Sequence, residues 1–97
     1  MGPEKRVSIV AESGDVDGAA ESVLDELAAR SGRVDVVLDL AACGTASVQA
    51  LRTLSVATDR VRKAGGTLTV IGVGPVLLRL IDELGFAGSF TIANWMM

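Results

Sequence analysis

Residues 36–66 read VVLDLAACGTASVQALRTLSVATDRVRKAGG, and this stretch limits the fold more than any other. A β-branched run passes into small residues, then into a long segment of helical period that stops at two glycines. It predicts a buried strand, a tight loop and a long amphipathic helix. The helix spans about 47–63, with Leu51, Leu54, Thr58 and Val61 as its core stripe and Ala50 and Ala57 alongside. Ser47 is placed to cap it, its hydroxyl accepting from the amide of Gln49 or Ala50. Gly65-Gly66 ends it.

The same alternation runs along the rest of the chain. Residues 7–11 (VSIVA) form a short strand, followed by turn residues. Ala20, Val23, Leu24 and Leu27 fall at i, i+3, i+4 and i+7, one face of a first helix. Asp17 is its expected N-cap, and Ser31-Gly32 its end. Residues 34–40 read as a central strand, and residues 67–73 (TLTVIGV) as the next. Pro75 opens a third helix, with Leu77, Leu80, Ile81 and Leu84 inward and Gly85 as its stop. Residues 89–92 make a last strand. The order is β-α-β-α-β-α-β, which predicts an α/β fold with largely parallel strands joined by right-handed crossovers. One domain is expected over residues 1–97.

Composition excludes several functions. The chain has no histidine and one cysteine, Cys43. A Ser-His-Asp triad is impossible, and zinc or haem sites are not expected. No acid–base or nucleophile–base pair is visible, so no enzyme activity and no cofactor are expected. The net charge is −3 and no aromatic–basic stripe exists, which argues against nucleic acid as a partner. The basic cluster Arg60, Arg62 and Lys63 sits in the last turn of the long helix, where it complements the negative helix end. Cys43 reads as a small buried hydrophobe rather than a redox sensor. A lone thiol and no secretory pattern in residues 1–6 fit a cytoplasmic protein. The apolar run 70–78 is interrupted by Gly72, Gly74 and Pro75 and is too short to insert in a membrane. Gly72-Val73-Gly74-Pro75 lacks a Walker lysine and reads as a turn, not a phosphate cradle.

Taken as an ordered set, these features resemble the STAS domain family of bacterial anti-sigma factor antagonists. Gly14-Asp15-Val16-Asp17 matches the family's turn before its first helix, and residues 36–40 its strand ending in Asp-Leu. From Asp39 onward, Gly65-Gly66, Gly74-Pro75 and Leu84-Gly85-Phe86 fall in register without a gap. The resemblance implies a STAS-like mixed, mainly parallel four-stranded sheet with three helices packed on it. It also implies a docking surface for protein partners at the start of the second helix.

The switch motif departs from the family. In this register Ser47 takes the position of an Asp, and Val48 and Gln49 take two hydroxyl positions, one of which is phosphorylated in switchable members. Ala50 replaces a Gly, and Leu51 is kept. Neither Val48 nor Gln49 can accept phosphate. Two consequences are open: a constitutively binding-competent protein controlled elsewhere, or a chain that has lost its kinase partner and binds something else. Thr45 and Ser47 are the nearby hydroxyls that could substitute as phosphorylation sites.

Ser47, Val48, Gln49, Arg52 and Val56 are the expected partner-binding residues on the helix, with Asp15 and Asp17 as an acidic rim. The resemblance implies an anti-sigma factor of the serine-kinase fold as partner, with release of a sigma factor. The alternative is an accessory role on the ATPase of an ABC lipid transporter. The apolar tail Trp95-Met96-Met97 could fold back, contact a partner, or pair two copies into a homodimer.

Overall fold

A computed structural model describes residues 6–12, 16–30 and 33–93. Seven elements alternate: β1 Arg6–Val10, α1 Val16–Arg30, β2 Asp35–Asp39, α2 Val48–Lys63, β3 Thr67–Ile71, α3 Pro75–Glu83 and β4 Thr91–Ile92. The strands form one sheet in the order β1-β2-β3-β4. Every pairing among the described strands is parallel, in keeping with the expected mainly parallel four-stranded sheet. The reason is local: each strand is followed by a helix, and a strand returned by a helical crossover re-enters the sheet in the same direction.

Consecutive right-handed crossovers in sequential strand order place the helices on one face of the sheet. The burial pattern agrees. Val36, Leu38, Leu68 and Val70 are buried against the helices, and their neighbours Asp35, Val37, Asp39, Thr69 and Ile71 are half-exposed. The register aligns the open face in rows: Arg6, Asp35 and Thr67, then Ser8, Val37, Thr69 and Thr91, then Val10, Asp39 and Ile71. Two acids in a central strand are tolerated because that strand is dry on one side only. Asp35 accepts from the Thr67 amide and hydroxyl, both at 3.1 Å, and pairs with Arg33 at 3.5 Å.

The core is aliphatic. Leu38, Leu40, Leu51, Leu54, Leu77 and Ile81 are its largest fully buried side chains, each worth about 1.5–3 kcal/mol of transfer free energy. Thr58 is the one buried polar residue among those described. Its hydroxyl donates to the Leu54 carbonyl one turn back at 2.8 Å, which permits its place in the α2 core stripe.

Several boundaries differ from the sequence expectation. The strands are shorter than the apolar runs: Ala11, Val34, Leu40 and Val73 are buried but lie outside the ladders. α1 begins at Val16, so Asp17 lies inside its first turn and is not the cap. The expected end at Ser31-Gly32 lies outside the described residues. Leu84, expected inward, is exposed: it is the C-cap, beyond the last helical residue of α3.

Candidate docking site at the start of the long helix

Parallel strands put the starts of α1 and α2 at the same edge of the sheet, the edge where β1 and β2 end. The connection after β2 is held tightly there. The Ala41 amide donates to Asp39 Oδ1 at 2.8 Å, and the Cys43 amide to the Leu40 carbonyl at 2.9 Å. Gly72 of the neighbouring loop lies so close that a β-carbon would press on Asp39 Oδ1 and Ala41. Cys43 is buried, and its thiol points to the Glu12 carbonyl at 3.4 Å, tying the loop after β1 to the loop after β2. These contacts leave residues 44–47 little freedom in how they enter α2.

Ser47 is the N-cap of α2, in extended conformation, and its Oγ accepts from the Ala50 amide at 3.0 Å. Its carbonyl accepts the first helical bond from Leu51 at 3.1 Å. The hydroxyl foreseen as a cap is therefore one, and the amides of Val48 and Gln49 are left at the open helix end. Thr45 is exposed in the loop, and Ser47, Val48 and Gln49 are exposed at the helix start. Val48 is 43% exposed, a valine at the first helical position facing solvent.

From this point a stripe runs down the outer face of α2. Arg52, Val56, Asp59, Arg60 and Lys63 are all exposed, with Val56 at 49% the apolar residue among them. Lys63 pairs with Asp59 at 3.2 Å one turn earlier. The structure thus brings together Thr45, Ser47, Val48 and Gln49 at one helix end and joins Arg52 and Val56 to them along one face. Asp17 is exposed in the first turn of α1 at the same edge of the sheet. Asp15 lies outside the described residues.

Two features were not foreseen. The far half of α2 borders a groove of ≈ 930 Å³, lined by Val56, Arg60, Arg62, Lys63, Leu27 and Ser89 among others. The basic cluster signalled charge there, but the pairing of Leu27 with Ser89 across it is tertiary and left no local trace. The second is the apolar outer surface of α3, where Val76 is 67% and Leu78 41% exposed. Their flanking of Leu77 was the available signal.

Among the described residues, no three His, Cys, Asp or Glu side chains gather where a metal could be held. None of the described helices is long and apolar enough to cross a membrane.

What the arrangement offers is a rigid, neutral helix end with an apolar contact point and a charged stripe beside it. That is the equipment of a protein-docking surface. No curated protein matches the chain in sequence. The sequence pattern of the STAS domain matches residues 4–95. With its parallel sheet, its helices on one face and the capped start of α2, the chain belongs to the STAS domain family.

Proposed function

We propose that this protein is an anti-sigma factor antagonist that binds a kinase-fold anti-sigma factor, releases a sigma factor, and is not switched by phosphorylation at the start of α2. The observation that carries this reading is Val48, exposed at the first position of α2 where the family places a hydroxyl. A phosphate at such a helix end is locally stabilised by free amides, yet adds nearly two negative charges to the surface a partner must desolvate. A valine there keeps the surface in its uncharged, binding-competent form. Ser47, Gln49, Arg52 and Val56 complete the contact on α2, and Asp17 with Asp15 supplies the acidic rim. The protein acts by occupying a partner, without catalysis or cofactor, in the cytoplasm.

The test is affinity capture from the source cell with wild type beside Val48→Glu, read by mass spectrometry. Recovery of a kinase-fold anti-sigma factor with wild type, lost with Val48→Glu, supports the reading. Recovery of a transporter ATPase instead, or capture indifferent to Val48, contradicts it.

A further inference from the structure

We propose that this chain forms an isologous dimer in which the outer faces of α1 and α2 pack on the same two faces of a second copy. α1 and α2 pack side by side, and both run away from the edge where β1 and β2 end. Their outer faces carry opposite charge. On α1, Asp17, Glu21 and Asp25 stand at i, i+4 and i+8, an exposed acidic stripe. On α2, Arg52, Val56 and Arg60 stand at the same spacing and are also exposed. Among the described residues, none of these five charged side chains makes an ion pair, and no ion pair joins α1 to α2.

Depth along the helices identifies the occupant. Glu21 is five residues beyond the start of α1 and Arg52 four beyond the start of α2, about 7.5 and about 6 Å down their axes. A second copy turned about a two-fold axis parallel to these helices keeps every depth and exchanges left for right. It lays α1 of one copy over α2 of the other and sets Glu21 against Arg52, with Asp17 and Asp25 a turn to either side, and it does so twice. Val56, 49% exposed one turn beyond Arg52, is covered by the same contact. Charges that find no opposite within one chain find it between two. The match follows from two oppositely charged helices that run in one direction from one edge. The dimer covers Arg52 and Val56, so it would also mask the docking face at high protein concentration, a control that needs no phosphate on α2. That consequence rests on the function proposed above; the dimer itself does not.

Sedimentation equilibrium of the purified chain from about 5 μM to about 1 mM tests the contact. Wild type should associate to a dimer in this range, more weakly as salt is raised. Glu21→Arg and Arg52→Glu should each weaken it about tenfold or more, because two attractive contacts become repulsive, with circular dichroism unchanged. An equimolar mixture of the two single variants should dimerise as wild type does, because each exchanged side chain then meets its opposite in the other copy. A wild type that stays monomeric to about 1 mM overturns the proposal. So does a dimer that either variant leaves unchanged, which would place the contact on another surface such as the open sheet face. A mixture that associates no better than the variants alone also overturns it. No partner protein enters this experiment, so its failure is distinct from a failure of the capture with Val48→Glu.

Discussion

At the scale of single residues, the helix start combines two roles in adjacent side chains. Ser47 serves the fold: its hydroxyl satisfies the Ala50 amide. Ser47→Ala should lower stability by about 1 kcal/mol in denaturant unfolding, and it also trims one residue from the proposed contact. Val48 serves the surface. A carboxylate at its position faces the positive end of α2, which favours it by about 0.3–1 kcal/mol. Val48→Glu should therefore unfold no earlier than wild type, and any loss of binding it shows is a loss at the interface.

Asp35 makes a residue-level prediction about acid. Burial on the sheet pushes its carboxyl up, but the Thr67 hydroxyl and amide and the Arg33 guanidinium together outweigh that, and its pKa lies below the ordinary value. A carboxyl lowered in the folded state contributes stability above its unfolded value, and the contribution fades as pH falls through the folded one. The stability gap between wild type and Asp35→Asn should be steady from about pH 7 to about pH 5 and narrow below about pH 4. Urea midpoints across this range measure it. A gap that widens on acidification would contradict the assignment.

At the scale of elements, the helix ends are fixed by glycines used in two ways. Gly65 takes φ +91, and its amide bonds to the Arg62 carbonyl while that of Gly66 bonds to Val61, which closes α2 in a Schellman motif. α3 ends in the same way, with Gly85 at φ +85 and Phe86 donating to Ile81 at 2.8 Å. Gly66 has a second duty: a β-carbon there would collide with the Val34 carbonyl where the chain passes β2. Gly66→Ala should cost about 2 kcal/mol or more, since a backbone and not a side chain must yield. An unfolding midpoint equal to wild type would mean the crossing is looser than described.

These elements also show what could be read from the residues alone. The α2 stripe was legible because one polar face and one apolar face repeat over sixteen residues. In α3 the spacing of Leu77, Leu80 and Ile81 gives the inner face correctly; Leu84 continues that spacing but is the C-cap beyond the last helical residue, which spacing alone does not reveal, and it is exposed. The strand runs overshot because hydrophobicity reports burial, not hydrogen bonding: Ala11, Val34, Leu40 and Val73 are in the core but outside the ladders. Asp17 has the residue type of a cap but lies one residue inside α1, because residue type does not fix a helix start to within a residue. At the site, the cap of α2 was local and readable. The groove between α2, Leu27 and Ser89 depends on tertiary approach and was not.

At the scale of the whole molecule, the parallel sheet and its crossovers put the starts of α1 and α2 at one edge, and loop contacts through Asp39, Gly72 and Cys43 hold that edge still. A rigid edge pays little ordering entropy when a partner binds. On the proposed function, this edge docks an anti-sigma factor in a form no kinase can turn off at α2. The most direct measurement is calorimetric titration of the purified chain against the kinase-fold anti-sigma factor it captures, with and without ATP, beside Val48→Glu. Wild type should bind with the same Kd after incubation with ATP as without it, and Val48→Glu should bind more weakly by about tenfold or more. Wild-type binding abolished by ATP with phosphate on Thr45 or Ser47, or Val48→Glu binding as tightly as wild type, would contradict it.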